Sequence, residues 1–112
     1  MKRKRINLFL EDAVPANQSE GTVSPVLPAG KWVQINEYGG SAPNLADMFM
    51  IQWGSNAAGW QTIRAWYHQG NFTKERELIG DGNSKIRLMR YNSTGDAKPI
   101  FMWCEVTIDE VE

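Results

Sequence analysis

The closing stretch Pro99-Ile100-Phe101-Met102-Trp103-Cys104-Glu105-Val106-Thr107-Ile108-Asp109-Glu110-Val111 sets Ile100, Met102, Cys104, Val106 and Ile108 at every second position. A strand sends alternate side chains to opposite faces, so this spacing predicts a long core strand with one wholly apolar side. A helix would need apolar residues three and four apart. No stretch keeps that helical spacing for three turns, and Gly or Pro interrupts nearly every window long enough to try.

Working back from that strand, period two recurs. The first strand is expected over about Lys4 to Asp12, from the alternation of Ile6, Leu8 and Leu10, and it ends before Pro15. Thr22 to Leu27 carries Pro25 and is followed by Pro28, which removes ladder donors and suits an edge strand. Lys31 to Tyr38 sets Val33 and Ile35 against Trp32, Gln34, Asn36 and Tyr38. Gly39 to Asp47, with two glycines and Pro43, reads as the longest surface loop.

Met48 to Trp53 places Phe49, Ile51 and Trp53 on one face and Met48, Met50 and Gln52 on the other, the pattern of a central strand. Trp60 to Tyr67 alternates Trp60, Thr62, Arg64 and Trp66 against Gln61, Ile63, Ala65 and Tyr67. Turn residues at 68–71 and 80–83 predict two successive hairpins joining Trp60–Tyr67, Phe72–Ile79 and Ser84–Tyr91. About eight short strands at this spacing indicate a single all-β domain, a two-sheet antiparallel sandwich, with a jelly roll ahead of an immunoglobulin-type arrangement. Residues 1–5 form a basic N-terminal arm in this reading.

The 112 residues carry 42% hydrophobic side chains and a net charge of −1, the composition of a globular domain of neither disordered nor membrane-spanning type. The near-neutral balance argues against nucleic acid as the main partner. Cys104 is the only cysteine, so an internal disulfide and multi-cysteine zinc patterns are excluded. The apolar run behind Lys2, Arg3, Lys4 and Arg5 is too short for an export signal and meets Glu11 and Asp12. Without export, the sequons at Asn17, Asn71 and Asn92 read as polar turns.

No set of residues makes a convincing catalytic group. The lone His68 sits at a tight turn, and Cys104 lies in the core stripe, where a thiol behaves as a small hydrophobe. Glu75 and Glu77 project two apart on one strand face, but Lys74, Arg76 and Arg87 are placed to pair with them. Asp81, Asn83 and Asp96 lack the spacing of a calcium loop and read as turn residues. The expectation is a protein that is not an enzyme and holds no metal or cofactor.

The five tryptophans are the surplus. Most belong in a core, yet two strands carry aromatics on both faces and a two-layer sandwich buries only one. Trp32 with Tyr38, or Trp60 with Trp66, is therefore expected outside, beside Gln and Asn. That combination suits a subunit interface first and a sugar-stacking platform second. These aromatics, with the basic residues Lys2, Arg3, Lys4 and Arg5, are the candidate interface or ligand-binding residues.

Met48 to Trp53, Trp60 to Arg64, and above all Glu77-Leu78-Ile79-Gly80-Asp81-Gly82-Asn83-Ser84-Lys85-Ile86-Arg87 resemble the small β-sandwich structural proteins of tailed bacteriophages. The resemblance runs on through the final strand with Trp103 and covers about the last two thirds of the chain. It implies a virion location after assembly in the host cytoplasm, in capsid decoration or cement or in a tail module. It also implies a homo-oligomer, such as a trimer or ring, that contacts a major capsid or tail protein. A tail module would also offer a cell-surface glycan as ligand; membrane and cofactor play no part.

Overall fold

A computed structural model describes residues 3–109, with the main chain alone at 74–76. Among the described residues ten strands follow one another without a helix: β1 (Arg3–Leu10), β2 (Ala13–Val14), β3 (Ser19–Val23), β4 (Trp32–Ser41), β5 (Met48–Ser55), β6 (Gly59–Tyr67), β7 (Gln69–Ile79), β8 (Lys85–Tyr91), β9 (Lys98–Pro99) and β10 (Phe101–Asp109). The two-residue β2 and β9 pair with each other. The eight longer strands make two four-stranded sheets, ordered β1-β10-β4-β7 and β3-β8-β5-β6. All pairings are antiparallel. The all-β two-sheet sandwich expected from the alternation is what the chain forms.

The closing stripe carries the core as its spacing requires: Ile100, Met102, Cys104, Val106 and Ile108 are all buried. β10 lies between β1 and β4, so it pairs on both sides and has no free edge. Facing it across the sandwich are Phe49 and Ile51 of β5 and Ile86 and Leu88 of β8, each fully buried. Trp53 packs at the margin of this cluster.

Two irregularities change which aromatics are inside. Opposite the single Glu105 of β10, β4 spends two residues, Asn36 and Glu37. That extra residue reverses the parity of everything beyond it, so Tyr38 faces the same way as Val33 and Ile35 and is fully buried. Tyr38 is thus a core residue, not the exposed partner of Trp32. In β6, Arg64 pairs with Ile51 and Thr62 with Gln52, which makes Ile63 the extra residue. Trp66 therefore points inward while Trp60 points outward. Trp66 stacks on Phe49 at 5.3 Å between ring centres and meets Tyr38 and Phe72 at 5.6 and 5.1 Å.

Several boundaries also differ from expectation. The predicted loop Gly39 to Asp47 loses Gly39, Gly40 and Ser41 to β4, where Trp103 and Phe49 occupy the space that side chains at 39 and 40 would need. The edge strand is Ser19–Val23, ahead of Pro25, although Leu27 still donates to the Ser84 carbonyl at 2.9 Å. The two predicted hairpins are chain reversals between sheets. β6 and β7 belong to opposite sheets and are joined through His68 at φ 66°; β7 and β8 likewise change sheet. Turn residues reverse a chain without stating which strand it will pair with. The hairpin that does form joins β5 to β6, with Ser55 opposite Gly59.

Candidate functional site

Because the sandwich has two layers, each sheet turns one face away from the core, and those faces differ in chemistry. On the β3-β8-β5-β6 sheet the outward residues lie in rows across the strands. Ser19, Tyr91, Met48 and Tyr67 form one row; Gly21, Met89, Met50 and Ala65 form the next. Val23, Arg87, Gln52 and Thr62 follow, then Lys85, Gly54 and Trp60. Met48, Met50, Met89, Tyr91 and Trp60 are half-buried, while Tyr67 and Val23 are exposed. Gly21 leaves room for the Met89 sulfur, which lies 2.5 Å from where a Cβ at 21 would stand.

The third row holds this face rigid. Arg87 donates from Nε to Gln52 Oε1 at 2.8 Å, and Gln52 Nε2 donates to Thr62 Oγ1 at 3.2 Å. The guanidinium lies 4.1 Å above the Trp60 ring centre, and the indole N–H donates to Asn56 Oδ1 at 3.2 Å. Partial burial pushes Arg87 below its ordinary pKa. Gln52 is consequently buried although it points away from the core.

The outer face of the β1-β10-β4-β7 sheet is more polar. Asn36 Nδ2 donates to Glu105 Oε1 at 3.2 Å and to Thr107 Oγ1 at 2.7 Å. Arg5 pairs with Glu105 at 3.3 Å, and Arg3 pairs with Asp109 at 3.1 Å while lying 4.4 Å over Trp32. At the other end of this face Phe9, Trp103 and Phe101 cluster, Phe9 directly opposite Trp103.

The candidate residues are thus dispersed. Trp32 and Arg3 meet on one sheet, Trp60 stands on the other, and Tyr38 and Trp66 belong to the core. Arg3, Lys4 and Arg5 are the opening residues of β1, held in register with Asp109, Ile108 and Thr107, so they are not a free arm. Lys2 lies outside the described residues, as does the side chain of Glu75; Glu77 is exposed opposite Gln34. Lys4 lines a groove with Ile6, Pro25, Val26 and Ile108 at the open margin between the sheets. The three methionines of the outer face and the Phe9–Trp103–Phe101 cluster were not among the candidates. For Met48 and Met50 the signal lies in the even positions of 48–52, and for Phe101 and Trp103 in the odd positions of 101–103, each the second face of a core strand.

Asp81 serves its turn. Its carboxylate accepts from the amides of Asn83 and Ser84 at 2.9 and 2.6 Å and from the Ser84 hydroxyl at 2.7 Å, which hold it below the usual carboxylate pKa. Among the described residues no three His, Cys, Asp or Glu side chains converge in a metal-binding group.

Neither a family model nor a curated protein matches this sequence.

Proposed function

We propose that this chain is a non-enzymatic structural protein of a bacteriophage virion, which assembles with copies of itself and with a neighbouring capsid or tail protein. The observation that carries the proposal is the outer face of the β3-β8-β5-β6 sheet. Three methionines, Trp60, Tyr67, Tyr91 and Val23 share a surface that the sandwich itself has no third layer to cover. Methionine and aromatic side chains are enriched where protein surfaces meet, since they contribute large contact area and adapt to the opposing shape.

Scale and topology support the same reading. The molecule measures 47 × 28 × 19 Å. The two longer extents enclose a rectangle of roughly 1,300 Å², which leaves room for the about 800 Å² per partner of a standard stable interface. Taken in chain order, the eight long strands run first-eighth-third-sixth in one sheet and second-seventh-fourth-fifth in the other. That interleaving supports a jelly roll, the architecture implied by the resemblance to phage sandwich proteins.

Light scattering on the purified protein tests the assembly, and co-sedimentation with phage particles tests the location. The wild type is expected as a defined oligomer. Met50→Glu and Met89→Glu, each placing a charge at the centre of the face, are expected to yield folded monomers that no longer sediment with particles. A wild type that is strictly monomeric and binds no virion protein overturns the proposal.

A further inference from the structure

The Trp103 end of the opposite face has a different composition. Phe9, Trp103, Gly39 and Asn71 stand side by side across four strands, and Phe101, Ser41 and Gln69 form the row beside them. A Cβ at Gly39 would lie 2.5 Å from the indole of Trp103, so the ring rests against the bare backbone of β4. Beyond that ring, Gly40, Ser41, Gln69, Gly70, Asn71 and Trp103 line a groove of about 320 Å³. Small-ligand pockets occupy about 300–1,000 Å³, which places this groove at the lower end of the range.

Three features of the lining select a ligand chemistry. Trp103 supplies the aromatic wall, and Phe9 and Phe101, 57% and 44% exposed, stand beside it on the same face, outside the groove. Ser41, Gln69 and Asn71 supply two amides and a hydroxyl whose hydrogen-bonding capacity is not spent within the fold among the described residues. Among the described residues, none that lines the groove is charged. An anionic ligand would meet no cation among these lining residues, and a purely apolar one would leave three polar side chains without a partner. A sugar ring matches both halves, with an apolar C–H face for the indole and a hydroxyl edge for amides that both donate and accept.

We infer that the groove beside Trp103 binds a neutral saccharide, the ring stacked on the indole and its hydroxyls held by Asn71, Gln69 and Ser41. This site is separate from the methionine face. It would let the same molecule attach to its assembly by one sheet and contact a glycan with the other.

The test begins with the wild-type protein on an array carrying neutral and acidic oligosaccharides, followed by a tryptophan-fluorescence titration with the neutral oligosaccharide retained best. Trp103→Ala and Asn71→Ala are each expected to weaken that binding at least tenfold with an unchanged far-UV circular dichroism spectrum. Asn71→Ala alters an exposed side chain outside the core, so it remains informative if Trp103→Ala does not fold. Trp60→Ala, on the opposite sheet, is expected to bind as the wild type does. Retention of no glycan, retention of acidic glycans only, or wild-type affinity in Asn71→Ala overturns the inference. The Met50→Glu protein separates this result from the assembly proposal: as a monomer it should still titrate with the oligosaccharide at the same site.

Discussion

Arg90 reaches across the chain to Asp12, donating from one terminal nitrogen to the Asp12 carbonyl and from the other to its carboxylate, both at 2.9 Å. The first nitrogen also donates to the Ile100 carbonyl at 2.8 Å. The side chain is 1% exposed, a full charge on the inner face of β8 directly opposite Phe49. Its partners include main-chain carbonyls that flank β2 and β9, so it fastens the corner where that small ladder joins the sandwich. Replacing it by Ala leaves those acceptors unpaired around a cavity and is expected to cost about 3 kcal/mol or more. Asp12→Asn keeps an acceptor at an exposed position and is expected to cost under about 1 kcal/mol. Urea denaturation of the two variants checks the contrast; equal losses would mean that the ion pair, and not the carbonyl contacts, dominates.

Gly40 stands where a methyl group would lie 2.5 Å from the Phe49 ring. Phe49 cannot retreat, because Trp66 is stacked on it at an interplanar angle of 14°. Gly40→Ala is therefore expected to destabilise by about 1–3 kcal/mol through overpacking. Gly95, with nothing within 4 Å of an added Cβ, provides the control, and Gly95→Ala should stay within about 0.5 kcal/mol of wild type. Thermal unfolding of both variants measures the difference.

The same glycine shows where sequence reading stops. Alternation located the strands because burial of one face imposes period two, and β10 and β5 follow it without a break. It misplaced Tyr38 and Trp66 because a single extra residue at Asn36–Glu37, and another at Ile63, turns the rest of each strand over. Neither bulge has a glycine to announce it. Gly39 and Gly40 resembled loop residues, yet their small size admits Trp103 on one side of β4 and Phe49 on the other. That requirement comes from strands distant in sequence. Strand partners were illegible for the same reason: His68 and the Asp81–Asn83 turn reverse the chain, while the pairing of β1 with β10 depends on which apolar faces can be buried together.

Cys104 lies 1% exposed within the core stripe, and burial, helped by the neighbouring Glu105 charge, pushes its thiol up to about 12. An unfolded thiol ionises near pH 8.5. The folded state therefore holds this proton where the unfolded chain releases it. The stabilisation is complete below the ordinary thiol pKa and is lost as pH rises from about 9 towards 12. Relative to Cys104→Ala, the wild type should lose urea resistance over that range. Ellman's reagent at pH 8 should label the thiol only after denaturant is added; rapid labelling of the native protein would show that the β1–β10 seam opens.

Asp47 provides the acid-side counterpart. It is fully buried between the 42–47 and 92–97 loops, and burial alone would raise its pKa. The Ser93 hydroxyl and amide and the Asn44 amide outweigh that by donating to the carboxylate, which is held below the ordinary aspartate value. A carboxyl depressed in the folded state stabilises above the unfolded pKa, near 3.9, and that contribution is lost as pH falls through the folded value. Asp47→Ala orphans both amides and is expected to cost about 2 kcal/mol at pH 6. Asp47→Asn retains one acceptor and has no proton to take up, so its disadvantage at pH 6 should shrink as the wild-type carboxylate is protonated towards pH 2. Urea midpoints at pH 6, 4 and 2 follow that gap, and a gap that stays constant would show that hydrogen-bond geometry at the loop junction, not charge, is what Asp47 supplies.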